Sequence, residues 1–248
     1  MSRRTFASRK ERASGARRGG GSAAHDRLAG LSVRAFLFDF DGLIVDTETA
    51  SRAGWELLFR DHGHELPPEK WALMVGTIDG WDIWGHLEEL TGGPLDRDAL
   101  NRRRVEHELS LLEAEGLRPG IAEYLEVSER LGIRRAIVSS SSRGWIDRHL
   151  ARLGHEAGWD AIVTADYDVA RAKPHPTLYL EALDLLGVES TEAVAFEDSP
   201  NGVRAATAAG IFTVGVPNAI TRDLGLEAAD LVVESLAELP PDQLLARV

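Results

Sequence analysis

Six short apolar runs recur along the chain from Val33 onward, and each of them predicts a buried strand. The runs cover residues 34–39, 135–139, 161–164, 193–197, 212–216 and 231–233. A short run without polar interruptions is typical of a strand that is covered on both faces, as in a parallel sheet. The first run ends in an acid, Asp39.

Helical patterns alternate with these runs and occupy residues 121–131, 144–153, 177–186 and 201–209. Gly132, Gly187 and Gly210 stand just past the helix ends, where a left-handed cap favours glycine. Strands and helices that alternate at this spacing predict an α/β fold, a Rossmann-like parallel sheet with helices on both faces.

One interval, residues 47–118, breaks the alternation because it shows helical patterns only. The candidate helices cover residues 48–61, 68–74, 81–90 and 96–115. An insertion of this length after the first strand predicts a small helical domain. The core domain would then consist of residues 31–46 and 119–248.

Composition narrows the class of protein. Apolar residues make up 44% of the 248 residues, which is enough for a sizeable core. The chain has no cysteine, so disulfides and thiolate metal sites are excluded and a reducing compartment is expected. No stretch approaches about 20 consecutive apolar residues, so we expect no membrane-spanning helix. A cytoplasmic location and a monomer are the default predictions.

Charge is distributed unevenly between the first 30 residues and the rest. The whole chain carries −12 and residues 1–30 carry +6, so the remainder carries −18. A body this acidic repels the phosphates of nucleic acids, which are therefore not expected as partners. Residues 1–30 show no apolar periodicity and are predicted to be disordered. Residues 2–6 resemble a twin-arginine export signal, but the apolar region that such a signal needs does not follow.

Candidate chemistry is concentrated where the predicted strands end. The first strand leads into Asp39 to Gly42, the second into Ser139 to Ser142, and the fourth into Glu197 to Ser199. Lys173 lies in the loop after the third strand. In open parallel sheets, ligands bind beyond the carboxyl ends of the strands. These groups are therefore predicted to meet at one edge of the sheet.

The carboxylates at this edge predict a metal site. Asp39 and Asp41 are two residues apart, so in extended chain they point the same way, and Gly42 permits a sharp turn directly afterwards. With Asp198 added, three like charges would share a small space, which requires a cation. Ligands that offer only oxygen favour a hard ion, and Mg²⁺ is the usual choice beside a phosphate.

Lys173 and Ser139 suit a phosphate group. The lysine would neutralise the charges of a phosphoryl group and an attacking carboxylate, and the serine offers a hydroxyl donor. Backbone N–H groups after Ser139 can add further donors. Phosphoryl transfer depends mainly on positioning and on electrostatic stabilisation, and this set of groups can provide both.

Four segments carry a family resemblance. Residues 38–48 (FDFDGLIVDTE) resemble the first signature of the haloacid dehalogenase-like superfamily of phosphohydrolases. Residues 137–139 (IVS), 172–176 (AKPHP) and 196–202 (FEDSPNG) resemble the second, third and fourth signatures, with matching order and spacing. The resemblance covers residues 33 to about 235, and the helical insertion resembles the cap domain of the β-phosphoglucomutase and phosphatase subgroup.

The resemblance implies a role for each matching residue. Asp39 would be the nucleophile that forms an aspartyl-phosphate, and Asp41 would protonate the leaving oxygen and later accept a proton from water. Mg²⁺ would be held by Asp39, Asp198 and the backbone carbonyl of Asp41, with Glu197 as a helper. Ser139 and Lys173 complete the catalytic set, and the residues assigned to substrate binding are Gly42, Ser140 and Asn201.

Several functions compete within this resemblance. The favoured one is hydrolysis of a small phosphorylated metabolite such as a sugar phosphate. A dehalogenase or phosphonate hydrolase would lack the second acid, Asp41. A β-phosphoglucomutase-like phosphomutase remains the rival, although Asp79 and Ser51 stand where it would carry a phosphate-binding arginine and a histidine. A non-catalytic sugar-phosphate regulator is disfavoured because all the acids and Lys173 remain.

Some prominent residues are better explained by packing or capping. Trp55, Trp71, Trp81 and Trp84 lie in the inserted helices, where we predict core packing rather than a platform for sugar stacking. Ser199 is predicted to cap the helix that begins at Pro200. Asp46 is predicted to be structural.

Overall fold

The computed structural model describes residues 32–76 and 80–248 of the chain. The basic segment of residues 1–30 and Asp79 lie outside the described residues, so the expectations about them stay predictions.

The sheet has six strands, and all of them run parallel. In spatial order it reads β3-β2-β1-β4-β5-β6. Its strands are β1 (Ala35–Phe38), β2 (Arg134–Ser139), β3 (Ala161–Thr164), β4 (Ala193–Glu197), β5 (Phe212–Gly215) and β6 (Leu231–Val232). This sheet confirms the predicted fold class. In the register, Phe38 lies beside Ile137 of β2 and Phe196 of β4, so the ends of these three strands are aligned.

The described residues between β1 and residue 118 form four helices. They are α1 (Thr47–Asp61), α2 (Pro68–Trp71), α3 (Ile83–Thr91) and α4 (Arg97–Leu112). Among the described residues of this interval there is no strand. Asp46 caps α1 by accepting a hydrogen bond from the Thr49 N–H at 3.1 Å, as its predicted structural role requires.

Helix α2 ends three residues earlier than predicted. After Trp71 the chain continues in turns, in which the Leu73 and Met74 N–H groups bond to carbonyls only three residues back. This tighter winding places Trp71 and Val75 in the cluster that the inserted helices bury among themselves, together with Trp55, Leu58, Phe59, Leu66, Ile83 and Leu87. The prediction of core packing is confirmed for Trp55 and Trp71, which are 7% and 4% exposed.

The remaining helices belong to the predicted core domain. They are α5 (Ile121–Leu131), α6 (Arg143–Leu153), α7 (Thr177–Leu186), α8 (Pro200–Ala208) and α9 (Pro241–Leu245). Gly132 and Gly187 end α5 and α7 in the left-handed conformation, as predicted, and Ser199 caps α8 by accepting from the Gly202 N–H at 3.1 Å. The division into a core and a cap domain stays a prediction.

Side chains of β1 alternate between two buried layers. Phe36 and Phe38 join a cluster that α5, α6 and α9 cover, whereas Ala35 and Leu37 join a cluster that α7 and α8 cover. A strand covered on both faces has no polar face, which explains its continuous apolar sequence. None of the helices in the described part of the chain is long and apolar enough to cross a membrane.

Candidate active site

Lys173 is buried between two carboxylates at the carboxyl edge of the sheet. Its ammonium nitrogen lies 2.6 Å from Asp39 Oδ1 and 2.7 Å from Glu197 Oε1. The Tyr179 hydroxyl, on α7, donates a hydrogen bond to the same Glu197 oxygen. Burial by itself would lower the pKa of Lys173, but the charges of Asp39 and Glu197 outweigh that effect and raise it. The lysine is therefore a fixed positive charge beside Asp39.

Three buried carboxylates form a cluster beside this lysine. One oxygen each of Asp39, Glu197 and Asp198 lies within 4.8 Å of the others. Burial, and next the charge of Asp39, raises the pKa of Glu197 to about 8, and burial is also the main cause of the raised pKa values of Asp39 and Asp198. Glu197 Oε2 is buried without a hydrogen-bond partner among the described residues. The cluster holds more carboxylates than cations, and every carboxylate offers oxygen as a ligand. A site of this composition suits a hard divalent ion.

Two glycines allow the backbone to approach these carboxylates closely. Gly42 has a φ of +77°, and a Cβ there would collide with the Asp198 carboxylate. A Cβ at Gly202, in the first turns of α8, would collide with the Glu197 carboxylate. The turn after β1 and the start of α8 can therefore contact the acids only because both positions lack a side chain.

Asp41 points to a different set of partners from Asp39. Thr47 Oγ1 and Trp145 Nε1 donate to its Oδ1 at 2.9 and 2.7 Å. Ser139 and Ser141 donate to its Oδ2 through their hydroxyl groups, at 3.2 and 2.6 Å. The two aspartates separated by one residue thus have distinct surroundings, one beside a lysine and the other beside uncharged donors.

The loop after β2 ties these groups together. Ser139 Oγ accepts a hydrogen bond from the Ser141 N–H at 3.0 Å while it donates to Asp41. Ser140 Oγ accepts from the backbone N–H of Lys173 at 3.2 Å. The Ser140 side chain therefore positions the lysine loop, and Ser140 also lines the cavity above it.

A cavity of about 520 Å³ opens above Asp39, Asp41 and Lys173. Its size suits a small-molecule ligand. The loop after β2 and the start of α6 form one side of it. The opposite side comes from the inserted helices, with residues from α1 (Glu48, Ser51, Trp55) and from α4 (Asn101, Arg104, Glu108).

The sequence of the chain matches a family model described as "Haloacid dehalogenase-like hydrolase" over residues 36–216. The chain belongs to the haloacid dehalogenase-like hydrolases. It is 41% identical over 207 residues to the "Putative phosphatase YhcW" of Bacillus subtilis (strain 168), a match that spans 84% of this chain and 94% of that protein. It is 36% identical over 216 residues to hexitol phosphatase A of Escherichia coli (strain K12), with 84% and 94% covered.

The fold is also that of solved members of the β-phosphoglucomutase subgroup. A crystal structure of β-phosphoglucomutase from Clostridium difficile matches with a TM-score of 0.69 and 24% identity, over 87% of this chain and 96% of that one. The family predicted from four motifs is therefore confirmed, and so is the enzyme class: this haloacid dehalogenase-like hydrolase is a phosphatase.

Most residues that the sequence assigned to the site meet in this structure. Asp39, Lys173, Glu197 and Asp198 form the charged cluster, and Asp41 lies beside Ser139. Their individual roles in this haloacid dehalogenase-like hydrolase stay predictions.

The other residues assigned to substrate binding lie behind the described cavity wall. Gly42 backs onto Asp198. Asn201 donates its side-chain N–H to the Val75 carbonyl at 3.0 Å, so it joins α8 to the inserted segment. Substrate contact by these two residues stays a prediction.

Sequence reasoning missed several residues of this site. Trp145 and Ser141 contact Asp41, and Asn218 donates to Asp198 Oδ2 at 2.7 Å. Ser141 belongs to the serine run after β2 and could have been assigned from that run. Trp145 and Asn218 carry no local signal, because their contacts depend on how a helix and a loop pack against strand ends.

Proposed function

We propose that this phosphatase hydrolyses a phosphomonoester of a sugar or polyol by transferring the phosphoryl group to Asp39 and then to water. The observation that carries the proposal is the position of the Lys173 ammonium, 2.6 Å from Asp39 at the floor of the cavity. A buried cation beside a carboxylate lets that carboxylate approach a phosphate dianion, which it would otherwise repel.

Asp39, Asp198 and the backbone carbonyl of Asp41 would hold Mg²⁺, with Glu197 assisting. The donor set supports this assignment because it offers oxygen only, it is buried, and it contains one lysine for three acids. Bound Mg²⁺ would supply positive charge that offsets the repulsion between the carboxylates and the phosphate.

In the first step, a carboxylate oxygen of Asp39 attacks phosphorus and the bond from phosphorus to the leaving oxygen breaks. The protonated Asp41 carboxyl gives its proton to that oxygen, so the product alcohol leaves neutral. Lys173 balances charge on the phosphoryl group, and the hydroxyl of Ser139 and the N–H groups after it can donate to the phosphoryl oxygens.

In the second step, Asp41, now a carboxylate, takes a proton from a water molecule. The water oxygen attacks phosphorus and the bond to Asp39 breaks, which releases phosphate and restores both aspartates. The inserted helices, which face the cavity, would exclude bulk water while the aspartyl-phosphate exists.

The wall formed by α1 and α4 favours an uncharged leaving group rich in hydroxyls. Every guanidinium nitrogen of Arg104 already donates a hydrogen bond, to Asn101 Oδ1 at 3.1 and 3.2 Å and to Glu108 Oε2 at 2.8 Å. Glu48 and Glu108 add carboxyl groups to the same wall. Carboxyl groups form hydrogen bonds with sugar hydroxyls, and Arg104 in this wall is already paired rather than free to hold a second phosphate, which supports hydrolysis of a monophosphate over the phosphomutase alternative.

The test is a measurement of phosphate release from a panel of phosphomonoesters. The panel comprises sorbitol 6-phosphate, fructose 1-phosphate, glucose 1-phosphate and 4-nitrophenyl phosphate, each assayed with Mg²⁺ and with EDTA. We expect release that requires Mg²⁺ and is lost in Asp39→Asn, while circular dichroism shows the variant folded. Conversion of glucose 1-phosphate to glucose 6-phosphate without phosphate release would contradict the proposal in favour of a mutase.

A further inference from the structure

The Asp41 carboxylate has four hydrogen-bond donors, and one of them differs from the rest. Thr47, Ser139 and Ser141 donate through hydroxyl groups, which can rotate to accept a hydrogen bond instead. The fourth donor, the indole N–H of Trp145 at 2.7 Å from Oδ1, can only donate.

The indole N–H therefore constrains the orientation of the Asp41 carboxyl group more than the hydroxyl donors do. A hydroxyl can rotate to follow the carboxyl group or can reverse its hydrogen bond, whereas the Trp145 N–H donates in one fixed direction. Turning the carboxyl group about its Cβ–Cγ bond would move Oδ1 away from the indole and leave the N–H group without its acceptor.

The indole is held in place from behind. Trp145 lies in the first turn of α6, where its backbone N–H bonds to Ser142 Oγ at 3.3 Å. Its ring packs edge to face against His149, one turn further along, with ring centroids 4.2 Å apart. His149 is 1% exposed, so the imidazole ring that packs against the indole has little freedom to move. The indole N–H is thus fixed by packing rather than by its bond to Asp41 alone.

We propose that Trp145 is a positioning residue that orients the Asp41 carboxyl group for proton transfer to the leaving oxygen. The proposal rests on the acid and base role of Asp41 in the proposed function. It assigns a specific step to a residue outside the four motifs. Without the indole N–H, the carboxyl group can turn away from this orientation, so fewer enzyme molecules would present it productively to the leaving oxygen.

The kinetic test compares Trp145→Phe with wild type on two esters. The leaving group of sorbitol 6-phosphate is an alkoxide that needs the proton, whereas 4-nitrophenolate is a stable anion that leaves without one. The ratio kcat/KM reports the steps up to departure of the leaving group, so it isolates the proton transfer from the later attack of water. We expect Trp145→Phe to lose roughly ten- to a hundredfold in kcat/KM on sorbitol 6-phosphate and less than about threefold on 4-nitrophenyl phosphate.

Trp159→Phe is the matched control. It removes an indole N–H that donates to the His155 backbone carbonyl rather than to a side chain of the site. In this control, kcat/KM on each of the two esters should change by less than about twofold. An equal loss on the two esters in Trp145→Phe, or no loss on either, overturns the proposal.

A spectroscopic measurement tests the same contact without activity. The chain has six tryptophans, and the N–H proton of each gives its own resonance in a ¹H–¹⁵N correlation spectrum. Trp145→Phe identifies one resonance by its loss. In Asp41→Ala that resonance should move upfield, because a hydrogen bond to a carboxylate deshields the proton. If Trp145→Phe does not fold, movement of a tryptophan N–H resonance in Asp41→Ala supports the proposal, and six unmoved resonances overturn it.

Failure of this inference and failure of the proposed function give different results. If Asp39→Asn or Asp41→Asn retains turnover on sorbitol 6-phosphate, the proposed function itself is wrong. If both variants are inactive and Trp145→Phe behaves like wild type, only the role of Trp145 is wrong.

Discussion

The two sides of the cavity are built on different principles. On the sheet side, Asp39, Lys173 and Glu197 stand at strand ends or in the loop beside them and are almost fully buried. On the side of the inserted helices, Arg104 and Glu108 lie one turn apart on a helix face that lines the cavity, with side-chain exposures of 15% and 6%.

This difference in placement assigns a separate role to each side in the proposed function. Residues at the strand ends carry out the reaction, and residues on the helix face select the substrate. Strand ends are fixed by a ladder of backbone hydrogen bonds in a buried sheet, so a reacting group placed there keeps its geometry. A helix face that packs over the site can change its side chains without disturbing that ladder. We therefore expect changes on the sheet side to affect every substrate, and changes on the helix side to affect substrates according to their leaving groups.

The largest effect should come from Lys173→Met on the sheet side. The change removes the cation between Asp39 and Glu197 and leaves their charges unbalanced in a buried site. We expect a loss of about 1,000-fold or more in kcat on all esters, and a loss of about 3–5 kcal/mol in the free energy of unfolding measured with urea in EDTA.

Lys70→Met on α2 is the control for the removal of a lysine. The Lys70 ammonium lies 5.4 Å from the centroid of the Trp81 ring, away from the strand ends. The kcat and the free energy of unfolding of this variant should therefore stay close to the wild-type values. If Lys173→Met kept more than about a tenth of wild-type activity, the lysine would not be the required cation.

Glu108→Gln should have a selective effect on the helix side. The amide keeps the shape of the carboxylate but no longer offers a charged acceptor to a hydroxyl or to Arg104. We expect kcat/KM to fall about tenfold on sorbitol 6-phosphate, which is the value of one hydrogen bond to a charged group, and by less than about twofold on 4-nitrophenyl phosphate. Glu106→Gln, on the exposed face of the same helix, should leave kcat/KM unchanged on both esters. A loss of the same size on both esters would mean that the two sides of the cavity are not separable in this way.

Glu48 lies on the helix side of the cavity and interacts electrostatically with Asp39 and Asp41 on the sheet side. Its contribution to the stability of the fold should therefore depend on pH. Burial, and then the charges of Asp41 and Asp39, raises its pKa from 4.5 to about 8. Between these values the folded protein keeps a proton that the unfolded chain has lost, so the wild type becomes less stable as the pH rises through this window. Glu48→Gln carries no such charge, and its gain in stability over wild type should grow by on the order of 1–3 kcal/mol between about pH 4 and pH 9.

The measurement for Glu48 is urea unfolding in EDTA across that pH range. Glu56→Gln on the same helix, where Glu56 pairs with Arg52 at the surface, is the control. A stability difference between Glu48→Gln and wild type that stays constant with pH would contradict the predicted titration.

Asn201→Ala should give the smallest effect. The side chain joins α8 to the Val75 carbonyl, so its loss should destabilise the fold by about 0.5–1.5 kcal/mol. We expect the KM values of both esters to change by less than about twofold. A selective rise in KM of about tenfold for sorbitol 6-phosphate would instead support the role in substrate binding that the sequence motif predicts.

Prediction from the sequence was more accurate for the strands of the sheet than for the inserted helices. All six strands lie within a residue or two of their predicted positions, because each of them leaves a short, continuous apolar run in the sequence. Helix α2 was predicted too long because its end depends on the packing of Trp71 and Val75 rather than on a cap or a glycine.

The sequence by itself determined the parallel sheet, the family and the identity of the groups at the strand ends, since all of these leave local patterns in the sequence. Only the tertiary structure decided that the Lys173 ammonium lies between two acids, one of them 134 positions away, and that the Trp145 indole reaches Asp41 across 104 positions. Contacts of that kind depend on strand register and helix orientation, which arise when distant segments pack together and which no local pattern encodes.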